Sequence, residues 1–366
     1  MKRLSLLVFV VLVWAFTTIN TSGWGIAHNT ENITVFVIIG WFLITQGKSQ
    51  TKLPIGGSNQ FLSLFTFLSF ILLPLFSQGS WEGATYLSMI LLVYCFSQQN
   101  VTDRFIVFSG YIMALLGLGV LFVYTRTELL SGWNENQIGM IGFYCYMYYL
   151  ISMSGKMSFK KATIGIAITV VYTSLLFLTK SRSVLLFIII AIFVFYFESG
   201  IKSFFRSKSS LFWALSVPLI VAVVVVLFPK ASFFDIITDL SSRFLDKSES
   251  TNGRAEIWSQ AFRHLSETSF LGCGVFEINY HNSAVAVLDV FGIIGYICWF
   301  KLFKKPLSHM RDFFFDDIVF GCVMAFLIIF WQQSFELGFV EPYPNMIPYM
   351  ILGIGLGRVK TIRENC

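Results

Sequence analysis

Apolar runs alternate with short polar breaks along almost the whole chain, at about 4–20, 32–46, 61–76, 83–97, 105–124, 138–153, 162–178, 184–197, 211–228, 283–300, 318–335 and 346–357. A helix that crosses a bilayer needs about 20 mostly apolar residues, so several of these runs need their flanks to complete a span. The pattern predicts an all-α polytopic membrane protein with about 12 transmembrane helices. One long polar interruption divides it: helices 1–9 over 1–228, a large loop over 229–282, and helices 10–12 with a short tail over 283–366. The first run follows Lys2 and Arg3 with no small-residue cleavage pattern behind it, and reads as an uncleaved span.

The loop keeps a helical period in two places. Phe233, Ile237, Leu240 and Phe244 form one apolar stripe, suited to lying at the membrane surface. Ile257, Trp258, Ala261, Phe262 and Leu265 form a second, with Asn252 as the expected N-cap.

Composition narrows the class further. Of 366 residues 56% are hydrophobic and only 13% charged, about half the usual charged share. Too few polar residues remain to cover a water-soluble surface, which excludes a soluble enzyme, a secreted disulfide scaffold and a disordered chain. The net charge of +6 is explained by topology and calls for no nucleic acid. Alternate loops on one side collect 18 of the 26 basic residues, which puts both termini in the cytoplasm and the 229–282 loop outside. Cys95, Cys145, Cys298 and Cys322 lie within apolar runs. There is no C-x-x-C pair and no His/Cys cluster, so neither a metal nor a cofactor is expected.

Three features on the outer side carry candidate chemistry. The turn Thr179-Lys180-Ser181-Arg182-Ser183 puts two cations into an otherwise apolar hairpin. They either snorkel to lipid phosphates or hold an anionic ligand, and their outer position, against the topological bias, favours the ligand. Arg254 falls in the first turn of the second loop helix, where a cation opposes the helix dipole. It either pairs with Glu256 at the surface or shares an anion with the free N–H groups there. His281-Asn282 stands at the outer mouth of span ten, with Gly292 and Gly295 on the same helix face below it. His281 is either an interfacial anchor or, with its pKa depressed, a neutral base.

In order and spacing these pieces resemble the bacterial O-antigen ligase and O-antigen polymerase superfamily. The matching residues are Thr179 to Leu186 around Arg182, Asn252-Gly253-Arg254 with Trp258, Leu271-Gly272-Cys273-Gly274, and His281-Asn282 with Gly292 and Gly295. The resemblance covers about 175–300. It implies a metal-independent glycosyltransferase of the GT-C type in the bacterial inner membrane, working on the periplasmic face. Its donor would be a glycan on undecaprenyl diphosphate and its acceptor lipid A-core, with Arg182 and Arg254 on the diphosphate, Lys180 and Asn282 lending binding contacts, and His281 taking or orienting the acceptor hydroxyl's proton. The polymerase alternative differs in the acceptor, a second lipid-linked repeat. A lipid-linked oligosaccharide flippase is the rival from another class. Against it stand the unmatched outer loop and the scarcity of charges in spans one to nine, with Asp289 in span ten the clear exception.

Overall fold

The computed structural model describes residues 2–21, 40, 82–127, 130, 134–155, 159–228, 253–274, 280–339 and 345–365, and the regular elements among them are helices. In chain order they are α1 (Lys2–Thr21), α2 (Glu82–Ser97), α3 (Asp103–Arg126), α4 (Glu135–Met153), α5 (Phe159–Leu178), α6 (Arg182–Tyr196), α7 (Glu198–Phe205), α8 (Lys208–Leu227), α9 (Arg254–Glu267), α10 (Ser283–Arg311), α11 (Asp317–Gln332) and α12 (Met346–Asn365). Of the apolar runs read from the sequence, ten coincide with α1–α6, α8 and α10–α12. Those at 32–46, apart from residue 40, and at 61–76 lie outside the described residues, as does the stripe from Phe233 to Phe244.

The all-helical class holds, but the described helices are not twelve spans. Four are long and apolar enough to cross a membrane: α3, most of α5 and α8, and α10. The pair α6 and α7, bent by 92° at their junction, makes a fifth if taken as one span. The run at 184–197 therefore ends in a sharp turn, and α7 leaves nearly at right angles to α6. Among the others, α11 is apolar but has only 16 residues.

Burial sorts the helices into an inner group and an outer ring. Every residue of α4 from Ile138 to Met153 is buried, as is most of α11 and α12. A helix apolar on all sides belongs in the centre of a bundle. Three of the four tyrosines of α4 fit there because their hydroxyls find partners: Tyr144 with Gln332 (3.0 Å), Tyr146 with Thr169 (3.0 Å) and Tyr148 with Ser109 (3.0 Å). The ring faces outward with bare apolar side chains, among them Phe108, Leu115 and Phe122 of α3, Ile189 and Phe193 of α6 and Trp213 of α8. In water such a surface would drive aggregation; against lipid tails it costs nothing.

A proline fixes how α8 meets α11. Pro218 lies inside α8 and has no N–H to offer the carbonyl four residues back, at Ala214. That acceptor is used instead by the indole of Trp331, whose Nε1–H donates to Ala214 O at 2.8 Å. The orphaned backbone group becomes a tie between helices, which brings the end of α11 to the place where the candidate residues gather.

Candidate functional site

The hairpin turn between α5 and α6 folds back tightly on α4. Thr179 and Ser181 are buried while Lys180, in the left-handed region at φ 54°, stands exposed. Ser181 takes the N-cap position without a side-chain cap bond, so Arg182 and Ser183 open α6. Ser183 Oγ donates to Glu336 Oε1 at 3.0 Å.

The second arginine is set by a glycine. Gly253, not Asn252, is the N-cap of α9, at φ 72°; Asn252 itself lies outside the described residues. Only glycine adopts that conformation without a steric penalty, and it turns Arg254 into the first helical position. Arg254 does not pair with Glu256, which is exposed. Its Nη2 donates to Phe335 O at 3.1 Å and its guanidinium lies 5.7 Å over the Phe335 ring. Arg254 Nε–H is buried with no hydrogen-bond acceptor among the described residues. Four residues on, the fully buried Trp258 donates from Nε1 to Tyr280 O at 2.6 Å, fixing the backbone one residue before His281. The stripe predicted for this helix is observed, with Trp258, Ala261 and Leu265 facing inward.

His281 is half-buried and held at φ 47°, an unusual backbone for a residue with a Cβ. Asn282 holds it there. Its Oδ1 accepts from the N–H groups of Ala284 (2.9 Å) and Val285 (3.1 Å), capping α10. Its Nδ2 donates to Pro218 O (2.9 Å) and Ser334 O (3.2 Å), tying α10 to α8 and to the end of α11. With both side-chain ends committed, Asn282 acts on the site by aiming its neighbour.

Gly292 departs from the expected continuous helix face. It sits at φ 66° and ψ −171° and breaks α10 in two, so Gly295 no longer continues one stripe from His281. The break is filled by the Leu271-Gly272-Cys273-Gly274 loop. Cys273 N–H donates to Asp289 O (2.8 Å), Gly274 N–H to Val290 O (2.9 Å), and Ile293 N–H to Phe270 O (3.1 Å). A Cβ on Gly292 would lie 2.5 Å from the Leu271 carbonyl carbon, and one on Gly272 would lie 2.5 Å from Gly292 N. The two glycine motifs are thus two halves of one backbone interlock. Beneath it, buried Asp289 accepts from Tyr280 OH at 2.7 Å, with His264 Nδ1 at 3.7 Å.

The centre of this end of the bundle is a segment that the motifs did not single out, the turn from Gln333 to Glu336 after α11. Asn282 bonds Ser334 O, Ser283 bonds both the backbone and the side chain of Gln333 (3.1 Å each), Arg254 bonds Phe335 O and Ser183 bonds Glu336. Gln333 Nε2 in turn donates to Tyr144 OH and Gln332 Oε1, both at 2.9 Å. Four elements that are far apart in sequence meet on these residues. The signal was a polar cluster, Gln332-Gln333-Ser334 with Glu336, ending an otherwise apolar run.

Electrostatics ties the three predicted residues together. Burial depresses the Arg254 guanidinium pKa, Glu336 opposes that, and the Arg182 charge adds to the depression. Burial likewise lowers the His281 imidazole below its usual 6.5, and the Arg254 charge lowers it further. Arg254 thus stands between the other two, feeling the Arg182 charge and acting on His281, with the Glu336 carboxylate opposing the depression of its pKa, while Lys180 stands apart on the exposed side of its turn. Of the two glutamates nearest in sequence to His281 and Arg254, Glu256 is exposed and Glu277 lies outside the described residues. Among the described residues no three His, Cys, Asp or Glu side chains converge as a metal site would require.

No curated protein matches this chain. Residues 167–300 match the family described as O-antigen ligase. The match runs from α5 into α10 and takes in Arg182, Arg254, His281 and both halves of the glycine interlock, but stops short of Glu336. Residues 167–300, a little over a third of the chain, are thus similar to the O-antigen ligase family over the same stretch in which the sequence resembles the O-antigen ligase and polymerase superfamily.

Proposed function

We propose that this protein transfers a glycan from undecaprenyl diphosphate to an acceptor hydroxyl at the periplasmic face of the bacterial inner membrane, joining O-antigen to lipid A-core. The observation that carries this reading is the Arg254 guanidinium, within reach of the Arg182 charge and with a buried Nε–H that has no acceptor among the described residues, acting on a half-buried histidine of lowered pKa. Two guanidiniums that repel each other, and one donor without an acceptor among the described residues, call for an anion with several oxygens, and a diphosphate supplies them.

The chemistry follows from those positions. The acceptor oxygen attacks the anomeric carbon, the bond from that carbon to the phosphate oxygen breaks, and the lipid diphosphate leaves with the electron pair. Arg182 and Arg254 stabilise the charge that develops on the leaving group. In this reading the guanidiniums carry that charge and no metal is invoked. His281, neutral because burial and Arg254 keep its pKa low, takes the hydroxyl proton. Asn282 holds His281 in place, and Lys180 at the rim attracts the anionic headgroup.

Purified protein supplied with a defined undecaprenyl diphosphate glycan and two acceptors tests the reading. Transfer to lipid A-core supports ligation. Products lengthened by one repeat on the lipid diphosphate establish the polymerase instead, and transfer to neither defeats the proposal. Sidedness rests on the 18 basic residues gathered on one side. A reporter fused near Ser248 is expected to be active only as a periplasmic enzyme.

A further inference from the structure

Glu336 has no part in the chemistry above, yet it sits where the two arginines are. It is 7% exposed, anchored by Ser183 Oγ at 3.0 Å, one residue from Arg182. Its neighbour Phe335 receives the Arg254 hydrogen bond at 3.1 Å and lies under the guanidinium. A buried carboxylate in the middle of an anion clamp weakens the clamp, because it repels the ligand that the arginines attract. A merely structural neutraliser would serve as well further away.

We propose that Glu336 is the residue that releases the spent lipid diphosphate: its fixed negative charge loosens the arginines' hold on the leaving group more than on the donor. This rests on the transfer reading given above. The donor is a diphosphate diester with two negative charges. Once the glycosidic bond to phosphate has broken, the lipid diphosphate exposes a terminal phosphate whose second ionisation falls near neutral pH, which adds up to one further charge. A carboxylate a few ångströms away therefore acts on about half as much charge again in the product as in the donor. One unit charge at that range in a partly buried site is worth about tenfold in affinity or more. The same two arginines that stabilise the departing diphosphate would otherwise retain it and slow turnover.

The test is Glu336→Gln, which keeps the shape and still accepts from Ser183 but removes the charge. Wild type and E336Q, purified into lipid nanodiscs, are compared for binding of undecaprenyl diphosphate and of undecaprenyl diphosphate carrying one sugar. Single-turnover and steady-state transfer are measured alongside. E336Q is expected to bind both lipids more tightly, with the gain for undecaprenyl diphosphate larger by about threefold to tenfold. Its single-turnover rate should be kept while steady-state turnover falls. Loss of a structural contact would weaken binding, so equal or weaker binding of undecaprenyl diphosphate by E336Q overturns the role of Glu336 alone. Failure of the wild type to bind either lipid removes the transfer reading and this role with it. Should E336Q not accumulate in the membrane, the wild type still decides. With Glu336 charged, it must bind undecaprenyl diphosphate no more tightly than the sugar-bearing lipid, and a tenfold preference for the bare diphosphate overturns the proposal.

Discussion

The two ends of the helix bundle treat their charges in opposite ways. At the end where α3 and α11 begin, the half-buried cations Arg358 and Lys202 are each matched. Arg358 donates to both oxygens of Asp316, with a closest approach of 2.7 Å, reaches Asp103 at 2.7 Å and bonds Val101 O. Lys202 lies between Glu198 and Asp317, with the Phe320 ring 5.1 Å away. Asp316 also caps α11 by accepting from Val319 N–H at 3.0 Å. At the other end of α6 and α11, the Arg254 guanidinium feels both the Arg182 charge and the Glu336 carboxylate, its buried Nε–H has no acceptor among the described residues, and His281 holds a strained backbone. A charge-balanced network is a scaffold, because adding a ligand would only disrupt its pairs. An excess of one sign, held by the scaffold against its own repulsion, is the arrangement that a ligand of the other sign completes.

That contrast is broken most severely at His281. His281→Ala should lower transfer by about two to four orders of magnitude, the usual worth of a general base, with protein levels unchanged. His281→Gln keeps a hydrogen bond but cannot take a proton, so near-normal transfer by this variant would reassign His281 to orienting the acceptor. The pH profile sharpens the point. A base acts neutral, so transfer should hold as pH falls through 6.5 and fail only below it, as the depressed pKa is crossed. Arg254→Gln removes the cation that helps depress that pKa, so the acid limb of its residual activity should move to higher pH, whereas Arg254→Lys should leave the limb nearly in place.

Next in size are the arginines. Arg182→Ala or Arg254→Ala should cost about a hundredfold or more in transfer, as loss of a charge-stabilising donor does elsewhere. Lysine should rescue only in part, since a point charge lacks the planar fork. At the opposite end the sign of the outcome reverses. Arg358→Ala leaves the half-buried Asp316 without its arginine and should cost about 2 kcal/mol of stability, below the range for a fully buried pair. That would appear as a lower thermal midpoint and less protein in the membrane, with transfer per folded molecule kept. The smallest effect is expected at Trp258→Phe, which removes one hydrogen bond to the Tyr280 carbonyl, worth about 1 kcal/mol. Transfer should fall about fivefold through the looser His281, and a thermal midpoint that drops without any loss of transfer would detach Trp258 from the site.

Much of this is written plainly in the sequence, for a physical reason. Lipid-facing helices advertise themselves as apolar runs, so α3, α5 and α8 could be read directly, while Arg182 and Arg254 stand out as cations that the expected topology sets against the usual bias. Local backbone chemistry was less legible. Asn252 is the better cap by preference, but Gly253 takes the position because the chain needs a positive φ there. Gly292 and Gly295 look like a helix-packing pair, and only the path of residues 270–274 reveals Gly292 as a break that accepts a loop. Least legible was Glu336. It lies 55 residues beyond His281, past two helices, and reaches the arginines only because Pro218, Trp331 and Asn282 tie the end of α11 to α8 and α10.

The measurement closest to the central claim is transfer per folded molecule, from a defined undecaprenyl diphosphate glycan, for Arg254→Ala and Arg358→Ala side by side. If the unbalanced end is the transfer site and the balanced end its scaffold, Arg254→Ala will be folded and abundant but will form almost no product. Arg358→Ala will be scarce but will turn over at the wild-type rate per molecule. An Arg254→Ala protein with wild-type transfer, or an Arg358→Ala protein that folds normally and cannot transfer, would contradict the account.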